Sequence, residues 1–99
     1  MAKAFGRPQR VADFLRKELS SLIQFQLRDP RLGMVSITDV EVSKDLSHAK
    51  VFVTVLGIDD RKASEPSIAV LNRASGFMRT ELARISTMRM VPALHFVFD

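Results

Sequence analysis

The sequence contains no cysteine, tryptophan or tyrosine. Without cysteine the chain forms neither disulfides nor thiolate metal sites, which suits a reducing compartment. No apolar run approaches the roughly 20 residues that span a bilayer. The start, MAKAFGRPQR, is basic and polar and lacks the apolar segment of a signal peptide. We therefore expect a cytoplasmic protein without a membrane contact.

Enzyme motifs are also missing. The chain has no G-x-x-x-x-G-K-[ST], no G-x-G-x-x-G and no nucleophile elbow. His48 and His95 lie nearly half the chain apart; they could meet in the fold, but their spacing is not that of metal ligands. Asp59-Asp60 adjoins Arg61-Lys62, which is typical of a solvated charge cluster. We expect no catalysis, no metal, no cofactor and no small-molecule substrate.

The length and charge of the chain are those of a small basic domain. With 99 residues, 46% of them hydrophobic, the chain can bury one core, so we expect a single domain over residues 1–99. The net charge is +4, and the positive charge is concentrated at the two ends. Residues 1–31 carry seven Lys/Arg against three Asp/Glu, residues 32–71 four against six, and residues 72–99 four against two. Two basic ends would form one phosphate-attracting face, although solvated helix faces explain the same pattern.

Periodicity in the first half predicts a helix and a hairpin. The helix opens at Gly6-Arg7-Pro8 and stops at Asp29-Pro30, because a proline keeps the preceding residue out of the α region. Residues 34–43 alternate as a strand whose phase slips, so we predict a bulge near Thr38-Asp39. Residues 49–56 form a second, antiparallel strand. The apolar stripe of the helix comprises Val11, Phe14, Leu15, Leu19, Leu22 and Ile23.

The second half predicts two helices and a last strand. Ser64 would cap a helix that ends near Arg73. Ala74-Ser75-Gly76 interrupts it, a third helix covers residues 77–86, and a strand covers residues 94–98. The order α-β-β-α-α-β, with three strands covered by helices on one face, predicts an α+β two-layer domain.

Gly76 is the unusual residue of this region. A glycine inside a helix costs about 1 kcal/mol relative to alanine, so we expect a kink whose backbone angles only glycine tolerates, and a loss of stability in Gly76→Ala. The break would also free N–H groups for phosphate at the start of the third helix. Arg73, Arg79 and Arg84 flank it and Arg89 follows. The alternative is that Gly76 merely lets two helices turn and pack.

Several separated blocks resemble bacterial ribosome-binding factor A. They are GRPQRVADFLRKELSSLI, DPRLG, VSITDVEVSKDLSHAKVFVT, ASGFMRTELA and RMVPALHFVFD. The element order resembles the type II KH domain, whose G-x-x-G loop clamps about four nucleotides. Here Ala74-Ser75-Gly76 lacks the first glycine, so the ordinary clamp is not assumed. Proteins similar to this one usually continue past the position of Asp99 into a basic or mixed-charge tail.

The resemblance implies a ribosome-assembly factor that binds free 30S subunits and 16S rRNA. It would assist late 30S maturation and 16S rRNA 5′-end processing, and it would be linked to growth in the cold. Phosphate contact is expected from Lys3, Arg7, Arg10, Arg73, Ser75, Gly76, Arg79, Arg84 and Arg89, with Lys44 and Lys50 as weaker candidates. Base stacking should be minor, because the seven Phe mostly fall on apolar stripes.

Three other functions stay open at this point. The chain could be a generic KH-like RNA-binding module, a DNA-binding helix-turn-helix built on residues 65–86, or a small RNA-processing enzyme. A monomer is expected, because charged residues near the exposed sheet edge disfavour strand pairing between copies.

Overall fold

The computed structural model describes residues 6–27, 29–86 and 90–99. These residues form α1 (Arg7–Phe25), β1 (Val35–Val42), β2 (His48–Val55), α2 (Arg61–Arg73), α3 (Ser75–Ile85) and β3 (Ala93–Phe98). The predicted order α-β-β-α-α-β and the α+β class are therefore confirmed. Within the described ranges, no helix is both long and apolar enough to cross a membrane.

The first helix buries the predicted stripe. Leu15, Leu19 and Ile23 are buried, as three- and four-residue spacing requires. The helix ends at Phe25, before the predicted Asp29-Pro30 stop. At this end Leu22 O accepts N–H bonds from both residue 26 and residue 27, at 2.8 and 3.2 Å. The second bond spans five residues and departs from the regular i to i−4 pattern.

The turn into β1 depends on Gly33. Its φ is +72°, and a Cβ at this position would lie 3.1 Å from Val55 Cγ1. Only glycine adopts such backbone angles without strain, and the missing side chain lets the loop lie against the sheet. Leu32 beside it is buried in the core.

The sheet has the order β1-β2-β3. β1 and β2 are antiparallel, as predicted, and their register shifts between Ile37 and Asp39. This confirms the bulge: Thr38 is the extra residue, so Val40 returns to the same face as Ile37. β3 lies parallel to β2 on its other side.

The helices cover one face of this sheet. Along β2, the buried residues Ala49, Val51 and Val53 alternate with the more exposed residues of the opposite face. Leu94 and Phe96 of β3 are buried on the same side. The core therefore lies between the sheet and the helical layer, and no described helix covers the second face, here called the open face of the sheet.

The start of α2 differs from the sequence prediction. Asp60, not Ser64, is the N-cap, and its side chain accepts a hydrogen bond from Lys62 N–H at 3.0 Å. Ser64 is buried within the helix, where its hydroxyl donates to Arg61 O at 2.6 Å. The prediction was wrong because an aspartate is an equally good cap and lies one turn earlier.

The outer edge of β3 is closed by a side chain of α2. The Asn72 amide donates to Phe96 O at 3.2 Å, and Phe96 N–H donates to Asn72 Oδ1 at 2.9 Å. The amide thus imitates one residue of a neighbouring strand. An unpaired strand edge invites pairing with another chain, and Asn72 removes that opportunity at this point of β3.

Candidate RNA-binding surface

The junction between α2 and α3 consists of one residue. Ala74 has φ −86° and ψ 0°, and its N–H donates to Val70 O at 3.0 Å and Leu71 O at 3.1 Å. The Met78 N–H bond to Ala74 O, at 3.0 Å, marks the first turn of α3. The N–H groups of residues 75–77 thus occupy the first turn, where a helix offers no internal acceptor.

The predicted interruption within Ala74-Ser75-Gly76 is confirmed, but the turn does not lie at Gly76. Gly76 is the second residue of α3 rather than the end of a break, and the described glycines with positive φ are Gly33 and Gly57. A Cβ on Gly76 would meet no atom within 4 Å. The chain turns at Ala74, so the angles at Gly76 do not require glycine. The lack of a side chain leaves the backbone at the start of α3 uncovered.

Two candidate arginines on α3 already have protein partners. Arg79 Nη2 donates to Val91 O at 3.0 Å, which ties α3 to the segment that precedes β3. Arg84 forms an exposed ion pair with Glu81 at 3.4 Å. Such surface pairs contribute little to stability, so Arg84 is available to exchange its partner, whereas Arg79 also has a structural role.

Arg73, the last residue of α2, is exposed, and its charge acts on Asp29 in the turn that follows α1. The pKa of Asp29 is lowered to about 2, first by the side-chain hydrogen bond from Arg31, then by the Arg31 backbone, and to a smaller extent by the charge of Arg73. Arg31 Nη2 lies 2.8 Å from Asp29 Oδ2. The sequence analysis did not identify this pair; the short spacing Asp-Pro-Arg was its signal.

The amino-terminal candidates Arg7 and Arg10 are exposed at the start of α1. The last turns of α1 line one cleft with residues 32–37, at the beginning of β1. α1 has 19 residues and so measures about 28 Å, whereas the 8 residues of β1 measure about 27 Å. The start of α1 therefore lies towards the β1–β2 turn. Lys3 and Arg89 lie outside the described residues.

The predicted set is distributed over the helical layer and the sheet. α1 contacts α3, so the helix with Arg7 and Arg10 is a neighbour of the helix with Arg84. Lys50 is separate: it is exposed on the open face of the sheet, in register with Glu41 and His95. Lys44 is exposed in the β1–β2 turn.

Phe77 is a candidate that the sequence analysis missed. Its side chain is 44% exposed, next to Gly76 at the start of α3. The sequence indicates this exposure. Thr80 and Glu81, which follow Phe77 by three and four residues on the same side of α3, are polar, whereas Met78 and Leu82 form the buried stripe. An exposed aromatic ring beside a helix start can stack on a base.

A family model described as "Ribosome-binding factor A" matches residues 7–99. The chain belongs to the ribosome-binding factor A family. A ribosome-binding factor A from Stutzerimonas stutzeri is 49% identical over 100 residues, which cover the whole chain and 78% of that protein. One from Pseudomonas fluorescens is 50% identical over 99 residues and is covered to 76% of its length.

Solved structures of the ribosome-binding factor A family share this fold. The crystal structure of the Thermus thermophilus protein matches with a TM-score of 0.80 and 31% identity, over 92% of this chain and 93% of that one. A T. thermophilus model fitted into a cryo-EM map of a 30S complex matches with a TM-score of 0.70 and 33% identity, over 86% and 87%. The predicted resemblance is confirmed.

Membership of the ribosome-binding factor A family also bears on the helix-turn-helix alternative. DNA-binding helix-turn-helix motifs join their helices through a turn of three to four residues. Here Ala74 alone separates α2 from α3. The one-residue junction therefore does not fit a helix-turn-helix motif.

Proposed function

We propose that this protein binds free 30S subunits through 16S rRNA and assists late 30S maturation and 16S rRNA 5′-end processing. The observation that supports this most strongly is similarity over the whole chain to proteins named ribosome-binding factor A. A Thermus thermophilus member was fitted into a map of a 30S complex. Residues 1–99 would act as one KH-like unit, as a cytoplasmic monomer.

The start of α3 is the centre of the proposed contact surface. Ser75 and Gly76 present first-turn N–H groups, and the helix dipole favours an anion there. No side chain at Gly76 keeps a sugar-phosphate backbone away. Arg73 and Arg84 would pair with neighbouring phosphates, and Phe77 would stack on an adjacent base.

A second group of contacts would come from α1. Arg7 and Arg10 are exposed at its start, with Lys3 before them, and α1 contacts α3. Arg79 would extend the surface on the side of α3, and Arg89 is a further proposed contact. Lys44 and Lys50, on the hairpin, would meet a different rRNA segment, because Lys50 lies on the opposite face of the sheet from the helices.

The proposed mechanism is binding without catalysis and without a cofactor. Contacts to phosphate position a protein on RNA but do not read the base sequence. The factor would therefore favour one arrangement of the rRNA by binding it more tightly than the alternatives. Fully assembled ribosomes would present the disfavoured arrangement.

Sedimentation with separated 30S, 50S and 70S particles tests this function. We expect binding to free 30S subunits and little to 70S ribosomes. The logarithm of the binding constant should fall with the logarithm of the salt concentration, by a slope of about 0.7 to 0.9 for each phosphate neutralised. Equal binding to 30S and 70S particles, or a slope near zero, would contradict the proposal.

Charge reversal then locates the surface. Arg10→Glu should weaken 30S binding and flatten the salt slope. Arg61→Glu is the matched control, because Arg61 is also exposed but lies at the start of α2, outside the proposed surface. Equal losses in both variants would mean that net charge, rather than the proposed surface, determines binding. Arg79→Glu is less suitable because it also removes the hydrogen bond to Val91.

Gly76→Val tests the start of α3. Open space surrounds the Cβ position, so we expect a folded protein whose branched side chain obstructs the approach of an RNA backbone. Binding to 30S should weaken more in Gly76→Val than in Gly76→Ala. If folded Gly76→Val binds normally, the arginines contact RNA without the α3 backbone.

Incubation with precursor 16S rRNA separates binding from processing chemistry. The proposal expects no cleavage by the purified protein alone. Cleavage that persists after removal of every other nuclease would favour the RNA-processing enzyme instead.

A further inference from the structure

The two histidines of the chain lie side by side on the open face of the sheet. β2 and β3 are parallel, with His48 in register with Ala93 and Lys50 in register with His95. The histidines are thus on the same face of neighbouring strands, two positions apart. His48 Nδ1 lies 3.3 Å from His95 Nε2, and the ring centroids are 5.4 Å apart with the planes inclined by 34°.

The backbone that carries this histidine pair is fixed by hydrogen bonds. Ser43 N–H donates to His48 O at 2.9 Å, and His48 N–H donates to Ser43 Oγ at 3.1 Å. Ala93 N–H donates to Ser47 O at 2.9 Å, which ties the start of β3 to the β1–β2 turn. The two imidazoles are therefore held on strands whose spacing is set by the sheet.

We propose that His48 and His95 form a two-histidine chelate for a divalent transition-metal ion such as Zn²⁺, Ni²⁺ or Cu²⁺. Imidazole nitrogen is a preferred ligand of these ions. An ion placed at the usual 2.0–2.1 Å from two nitrogens 3.3 Å apart makes an N–metal–N angle of about 107°, close to the tetrahedral value. No change of strand position is needed to reach this geometry.

The residues around the histidine pair determine which further ligands and charges the ion would contact. Among the described residues, no group of three potential His, Cys, Asp or Glu ligands lies together, so water would occupy the remaining positions. Lys50 is in register with His95 and repels a cation, whereas Glu41 opposite Lys50 offsets that charge. Asp45, three residues before His48, accepts hydrogen bonds from Ser43 and Ser47 in the β1–β2 turn.

The competing description is a hydrogen-bonded pair in which one ring N–H donates to the other ring. Both descriptions fit a nitrogen separation of 3.3 Å, but they differ in what they predict. A metal ion would replace the shared proton and bind both rings at once. Because ligating imidazoles must be unprotonated, metal affinity should fall as the pH is lowered.

Calorimetric titration of the untagged, EDTA-treated protein with ZnCl₂ tests the chelate. We expect one ion per chain, bound more weakly than at a structural zinc site with four protein ligands. His48→Asn and His95→Gln keep polar groups near the nitrogens used, yet each removes a ligand and should lower the affinity at least tenfold. Asp13→Asn, an exposed carboxylate on α1, is the control and should bind as the wild type does.

NMR of the wild-type protein gives a test that does not depend on a variant. Only two histidines are present, so their imidazole signals are assignable, and both should shift at the same ratio of Zn²⁺ to protein. Unchanged histidine signals at a tenfold excess of Zn²⁺, or equal affinity in the histidine variants, would overturn the proposal. Those results would leave a hydrogen-bonded pair.

Discussion

Gly76→Ala is the substitution for which sequence and structure predict opposite signs. The sequence suggested a kink that only glycine tolerates, and hence a loss of stability. In the structure Gly76 is an ordinary residue of the first turn of α3, and a Cβ there meets no atom within 4 Å. Alanine therefore adds no clash and no strain, while it reduces the conformational freedom of the unfolded chain.

The expected gain follows from helix propensity. A compatible glycine-to-alanine change stabilises by about 0.4–1 kcal/mol. Because Gly76 lies in the first turn, where the helix is only partly hydrogen-bonded, we expect about 0.5 kcal/mol. For a domain of this size, 1 kcal/mol corresponds to about 4–8 °C in melting temperature, so Tm should rise by about 2–4 °C.

Thermal and urea unfolding of Gly76→Ala measure this gain, and Ala83→Gly is the matched control in the same helix. Ala83 is exposed in the last turn of α3, so its replacement by glycine should cost about 0.5 kcal/mol and lower Tm by about 2–4 °C. A lower Tm for Gly76→Ala, with Ala83→Gly behaving as expected, would refute the reasoning. It would mean that residue 76 needs backbone angles available only to glycine.

Two further predictions concern stability. Asn72→Ala should cost about 1–2 kcal/mol in urea unfolding, because it leaves Phe96 N–H and O without their side-chain partners. Asn72→Asp keeps the acceptor but places a carboxylate oxygen against Phe96 O, so it should also destabilise, and wild-type stability in either variant would contradict this. The pKa of Asp45 is lowered to about 2 by hydrogen bonds from Ser43 and Ser47. Its folded pKa is below the unfolded value of about 3.9, so its contribution to stability is present above about pH 4 and is lost as the pH falls towards about 2. Urea unfolding between about pH 2.5 and about pH 5 should therefore show a shallower acid loss in Asp45→Asn than in the wild type, and parallel curves would contradict it.

Local patterns in the sequence predicted the elements and one irregularity. The spacing of Leu15, Leu19 and Ile23 specified the buried side of α1, because a helix repeats about every 3.6 residues whatever it packs against. The phase slip between Ile37 and Val40 required a bulge, because a strand repeats every two residues. Separated sequence blocks also identified the family.

Contacts between distant segments were decided only by the tertiary structure. His48 meets His95 because β3 pairs in parallel with β2, and nothing in the residues between them specifies that register. Asn72 meets the edge of β3 only because α2 packs beside that strand, and nothing in the sequence around Asn72 indicates this contact. Gly76 was misread because a sequence shows that a glycine is present but not whether the chain turns there. Helix and strand periods are properties of a few consecutive residues, whereas strand pairing and the position of the turn at Ala74 depend on how the whole chain packs.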